Sequence, residues 1–86
     1  MFKENANFGE VIKHLKKGGG NFAHRVGWNG KGMFIQLQTP FENNRMTLPY
    51  IFMKTADSDL VPWLASQTDM LAEDWILDEF TASAGA

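Results

Sequence analysis

The sequence predicts an α+β fold: a small antiparallel sheet of about five strands, an N-terminal helix packed on it, and a short helix before the last strand. Two capping-box patterns mark where the helices begin. Turn signals join runs of alternating apolar residues, and strands joined by tight turns must be antiparallel. The length of 86 residues leaves room for one core, since independent cores need about 50 to 200 residues. The expectation is a single domain over 1–86, with an ordered core over about 7–80 and a flexible tail over 81–86.

Asn7 before Phe8-Gly9-Glu10 reads as an N-cap with glutamate at the third helical position. Phe8, Val11, Ile12 and Leu15 then form one apolar stripe, while Lys13, Lys16 and Lys17 face water near the helix end. The helix is expected over about 8–17, ended by Gly18-Gly19-Gly20. Asn21 to Val26 alternates as a half-buried strand. It runs into Gly27-Trp28-Asn29-Gly30-Lys31-Gly32, where Asn-Gly signals a hairpin because both residues tolerate positive φ.

The return strand is Met33 to Gln38, with Met33, Ile35 and Leu37 on one face and Pro40 as its stop. Phe41 to Leu48 has no period and reads as a loop. Tyr50 to Thr55 is the next strand, and Ala56-Asp57-Ser58-Asp59 turns it into Leu60-Val61-Pro62-Trp63. Ser66-Gln67-Thr68-Asp69 is the second capping box, flanked by Ala65 and Met70 as a hydrophobic staple, and its helix ends near Glu73. Trp75 to Phe80 returns as the last strand. Thr81 to Ala86 is too small and polar to pack.

A chain this short buries only roughly 60–65% of its unfolded surface, so a monomer is marginal without help. The absence of cysteine removes disulfides and thiolate metal sites, and His14 and His24 are isolated, so no metal or other cofactor is expected. Self-association remains. The net charge of −2 hides a division: residues 1–54 carry all eight basic residues and sum to +5, whereas 55–86 carry seven acids, no Lys or Arg, and sum to −7. The halves should attract each other, within a subunit or across an interface. A duplex-binding protein needs a broad cationic face that this chain lacks, so no nucleic-acid polymer is expected as partner. No apolar run approaches the roughly 20 residues of a membrane span, and the N-terminus is no signal peptide; a soluble cytoplasmic protein is expected.

Catalytic chemistry finds no footing. Ser58, Ser66 and Ser83 lack the setting of a nucleophile elbow, neither histidine lies in a partner motif, and Asp57 and Asp59 read as solvated turn residues. The glycines at 27, 30 and 32 resemble a phosphate loop only in number, because no helix follows them. Trp28, beside a tight turn, should cap the sheet edge, enter an interface or stack on a planar ligand. At the start of the second helix, backbone N–H groups with Ser66, Gln67 and Thr68 are suited to phosphate or ribose oxygens, although Ser66 and Asp69 also serve as caps. Asp69 repels phosphate, which favours ribose hydroxyls or a base amino group. Three tryptophans, Trp28, Trp63 and Trp75, exceed what so small a core needs, and together they point to one stacking site.

Three segments carry a family likeness: Gly27 to Phe34, Pro49 to Asp57, and Val61 to Trp75 with its Trp-Leu-Ala-Ser-Gln-Thr-Asp run. Together with Asn7-Phe8-Gly9-Glu10 they resemble the Thoeris anti-defence protein two family over about residues 7–78, leaving 40–48 and the tail unmatched. The resemblance implies a phage- or prophage-encoded homotetramer in the bacterial host cytoplasm. It implies a nucleotide sponge that sequesters cyclic ADP-ribose isomers such as gcADPR, and in some members cyclic dinucleotides, without cleaving them. The alternatives are a non-nucleotide phage interaction or structural protein, or a small nucleotide hydrolase. Within the sponge reading, Trp28 and Trp75 are expected to stack, and Asn29, Ser66, Gln67, Thr68 and Asp69 to make polar contacts. Arg25 and Lys54 are the cations expected to meet a pyrophosphate.

Overall fold

The computed structural model describes residues 2–28, 32–43 and 45–80. The chain runs β1 (Lys3–Ala6), α1 (Phe8–Lys16), β2 (Asn21–Arg25), β3 (Phe34–Gln38), β4 (Tyr50–Lys54), β5 (Leu60–Pro62), α2 (Gln67–Leu71) and β6 (Trp75–Glu79). The strands form one sheet in the order β1-β6-β2-β3-β4-β5, antiparallel at every pairing. The α+β class holds, with α1 on the sheet and α2 before the last strand. The sheet has six strands rather than about five.

The additional strand, β1, has a sequence, Lys-Glu-Asn-Ala, that carries no strand signal. It exists because β6 offers a free edge: Lys3 pairs with Leu77 and Ala6 with Trp75, with a register shift between them and Asn5 at φ 55°. Ala6 is fully buried, so the core reaches back beyond the expected start at residue 7.

Both capping boxes form. Asn7 Oδ1 accepts from the Glu10 backbone N–H at 2.9 Å while Glu10 Oε1 accepts from the Asn7 N–H at 3.0 Å, and Lys3 pairs with the same glutamate. Helix α1 ends at Lys16, with Lys17 as its C-cap, one residue before the expected end. Its buried side chains are Val11, His14 and Leu15. His14 thus takes a core-facing position in place of Ile12: its Nε2 lies 2.6 Å from the Asp78 carbonyl, and Asn21 Nδ2 donates to the His14 carbonyl at 2.9 Å. Gly20, at φ 92°, turns the chain into β2; a Cβ there would lie 3.0 Å from the Phe80 carbonyl oxygen.

The β2–β3 hairpin pairs Phe22 with Gln36 and Ala23 with Ile35, although the expected Asn29-Gly30 turn lies outside the described residues. The core is Val11 and Leu15 of α1 against Ala23, Ile35, Trp75 and Leu77, joined by Ala6. The alternation of strand side chains sends Phe22, His24, Phe34, Phe52 and Ile76 to the opposite face, which no helix among the described residues covers. No described helix is long and apolar enough to cross a membrane, and the described residues hold no group of three or more His, Cys, Asp or Glu poised for a metal.

Candidate functional site

Four aromatic residues from separate parts of the chain meet on the helix side of the sheet. Phe8 opens α1, Trp28 follows β2, Trp63 follows β5, and Trp75 begins β6. Trp75 is the hub, with 0% of its surface exposed. Its ring centre lies 5.3 Å from Trp28 and 6.1 Å from Trp63, both edge-to-face, and 5.8 Å from Phe8. Trp28 and Trp63 are 6.4 Å apart and remain half-buried. Such edge contacts match the positive rim of one ring to the negative face of the next.

A polar network holds the cluster in place. Trp75 Nε1–H donates to the Asp69 carbonyl at 3.0 Å, tying the hub to α2. The Asp69 carboxylate accepts from Arg25 Nη1 at 3.0 Å and from the Ser66 N–H at 3.2 Å, while Ser66 Oγ accepts from the Asp69 N–H at 3.0 Å. Arg25 Nε donates to Asp74 Oδ1 at 2.9 Å, and the other Asp74 oxygen accepts from the Gly27 N–H at 3.3 Å. Burial alone would raise the Asp69 pKa, but hydrogen bonds from Arg25, Ser66 and the Trp28 indole outweigh it and hold the carboxyl below its ordinary value. The Arg25 hydrogen bond likewise lowers Asp74, and Asp74 and then Asp69 raise Arg25. The attraction expected between the basic and acidic halves of the chain is realised here within one subunit.

The residues expected at the site divide into three groups. Trp28, Gln67 and Thr68 lie where a ligand could reach them: Trp28 is half-buried, and Gln67 and Thr68 are exposed at the start of α2. Asp69, Arg25 and Trp75 build the site from behind, and the exposed Ser66 caps α2. Stacking by Trp75 is corrected, because the ring leaves no open face. Arg25 is corrected as a free cation, since two carboxylates already accept from it. Lys54 is corrected as a neighbour of this cluster. It lies on the opposite face of the sheet, with Nζ 5.9 Å from the Phe34 ring centre and 3.4 Å from the Gly32 carbonyl oxygen. Asn29 lies outside the described residues.

Phe8, Asp74 and the half-exposed placement of Trp63 next to Trp28 were not among the expected site features. Trp63 stands at the head of the Trp-Leu-Ala-Ser-Gln-Thr-Asp run, which was a usable signal. Asp74 offered none beyond its charge, because its partnership with Arg25 depends on β6 pairing beside β2 through Arg25 and Trp75.

The arrangement can stack a planar group on the half-exposed indoles and donate or accept hydrogen bonds through Gln67 and Thr68. The Thoeris anti-defense 2-like domain matches residues 6–77, which span every element from the end of β1 into β6. A protein of Bacillus phage SP01 named Thoeris anti-defense 2 is 38% identical over 86 residues, covering 85% of this chain and 94% of that protein. With the match running through both capping boxes and the tryptophan cluster, the chain belongs to the Thoeris anti-defense 2-like family, and its place is in phage anti-defence against Thoeris.

Proposed function

We propose that the protein is a sponge that binds a cyclic nucleotide immune signal and holds it uncleaved, so that the Thoeris effector is not switched on. The observation that carries this reading is Trp28: a half-exposed indole set edge-on against a buried tryptophan and hydrogen-bonded to Asp69 of α2, the short helix that also carries the exposed Gln67 and Thr68. A sponge needs a preformed platform with no reacting group, and base stacking contributes about 1–3 kcal/mol per aromatic contact. Cyclic ADP-ribose isomers such as gcADPR are the first candidates, and cyclic dinucleotides the second. The Asp69 carboxylate favours a ligand that presents ribose hydroxyls or a base amino group to α2 rather than phosphate. In this reading the protein is not an enzyme and works in the host cytoplasm as a homo-oligomer, expected to be a tetramer.

The test is incubation with gcADPR, removal of free nucleotide, heat denaturation, and mass analysis of what is released. Intact gcADPR is the expected product; cleaved product alone would make the protein a hydrolase. A tight ligand at 100 times its dissociation constant should also add about 2.7 kcal/mol to stability. If neither gcADPR nor a cyclic dinucleotide produces a thermal shift, the protein is instead a phage interaction protein that does not bind nucleotides.

A further inference from the structure

We infer that Asp69 is the positioning residue of the site: its carboxylate fixes the Trp28 indole relative to α2, so that the stacking face is set before a ligand arrives. What the ring then meets rests on the sponge reading, whereas its position is a property of the ligand-free protein.

Trp28 stands beyond the strand ladder. Strand β2 ends at Arg25, which pairs with Trp75, and the chain then turns, with the Trp28 N–H donating to the Arg25 carbonyl at 3.3 Å. The Val26 N–H donates to the Asp74 carbonyl at 3.3 Å, and the Gly27 N–H to the Asp74 carboxylate at 3.3 Å. These bonds place the backbone as far as Trp28 and leave the side-chain torsions of the indole to other contacts. Its ring neighbours, Trp75 at 5.3 Å and Trp63 at 6.4 Å, both meet it edge-to-face. Aromatic pairs are satisfied over separations of about 4.5–7 Å, so they keep a ring near its place without fixing its angle. A hydrogen bond weakens steeply when bent, and the Trp28 indole N–H donates one to the Asp69 carboxylate.

Asp69 is itself held from several sides. One carboxylate oxygen accepts from Arg25 Nη1 at 3.0 Å and the other from the Ser66 N–H at 3.2 Å, and the side chain is only 14% exposed. Its backbone N–H donates to Ser66 Oγ at 3.0 Å, and its carbonyl accepts the Trp75 indole N–H at 3.0 Å. Both indoles of the edge-to-face pair thus end on one residue, Trp28 on the carboxylate and Trp75 on the carbonyl. Arg25 closes the circuit, because its Nε donates to Asp74, whose other oxygen holds Gly27, the residue before Trp28. Turning the ring would break a bond to a carboxylate that cannot follow it. Bonds to an ionised acceptor are roughly twice as strong as neutral ones.

With the Arg25, Ser66 and Trp28 donors in place, most of the roughly four acceptor positions of a carboxylate are used, so Asp69 acts on a ligand through Trp28. Capping alone does not call for aspartate here. Glutamate is the usual third residue of a capping box and serves at Glu10 in α1. The shorter aspartate keeps its carboxylate between Ser66, Arg25 and the Trp28 indole. A platform ordered in advance spares a ligand the cost of ordering it, so loss of this bond should lower affinity as well as free the ring.

Two measurements test this. In the ligand-free protein, the Trp28 indole N–H, assigned in a proton–nitrogen correlation spectrum by its loss in Trp28→Phe, should exchange about ten-fold more slowly in the wild type than in Asp69→Ala. Equal exchange overturns the inference, whatever the protein binds. In calorimetric titration with gcADPR, Asp69→Ala should bind about ten-fold more weakly, and Asp69→Asn, which keeps an acceptor in place, should stay within about three-fold of the wild type. In a Trp28→Phe background the ring remains without its N–H, and Asp69→Ala should then change affinity by less than about two-fold. A full ten-fold loss in that background overturns the inference, because Asp69 would then act other than through the indole. If Asp69→Ala does not fold, Asp69→Glu takes its place, keeping the charge and the cap while moving the carboxylate. If the wild type binds no gcADPR, the sponge reading fails, and there, as where a background binds too weakly to titrate, the ligand-free exchange decides alone.

Discussion

Trp28 and Trp75 touch each other, yet one has a ring left to solvent and the other has none, and that difference separates their roles. Trp75→Ala would empty the centre of the cluster and orphan the Asp69 carbonyl, so a loss of about 3–5 kcal/mol in urea unfolding is expected. Trp28→Ala removes a half-exposed ring. It should leave a cooperative fold while abolishing the thermal shift given by gcADPR; a full shift in that variant would move the binding site elsewhere. Arg25 behaves as a tie bar. Arg25→Gln should cost about 2–3 kcal/mol, because it withdraws the charged donor from two carboxylates. These assignments were only partly legible in the sequence. The identity of Trp28 and its position after a strand already placed it near a surface, but whether Arg25 was free depended on acids 44 and 49 positions away.

At the scale of elements, the two capping boxes behave differently because the helices they begin differ in length. Helix α1 has nine residues and a buried face, so Asn7→Ala should cost about 1 kcal/mol of global stability. Helix α2 has five residues and no buried side chain, too short to persist without its cap and its tie to Trp75. Ser66→Ala should therefore appear first as faster amide exchange in α2, with a smaller global effect. If exchange in α2 is unchanged, the cap does not hold the helix. Both boxes were legible because capping is a local contract between residues three apart. Strand β1 was not legible, because its Lys-Glu-Asn-Ala sequence has no strand preference and its pairing is donated by β6, some seventy positions later.

For the whole molecule, the division of charge along the chain becomes an internal clamp between β2 and the α2–β6 segment. Asp69 and Asp74 both have lowered pKa values in the folded state. Their contribution to stability is complete above the unfolded carboxyl value of about 3.9 and is lost as pH falls through the lower folded values. Acid unfolding should accordingly set in below about pH 4, and Arg25→Gln should flatten that dependence by removing the partner common to both acids.

Local pattern alone determined the α+β class, both helix starts, the antiparallel pairing and the presence of surplus tryptophan, since each follows from residues close in sequence. Tertiary structure decided which tryptophan is buried and which stays half-exposed, that Arg25 is already paired, and that Lys54 belongs to the other face. It also decided that one face of the sheet carries no helix among the described residues. The physical reason is that burial and charge neutralisation are long-range sums over neighbours. In this chain those neighbours are brought together by β6 entering the sheet beside β2, a placement that no short stretch of sequence encodes.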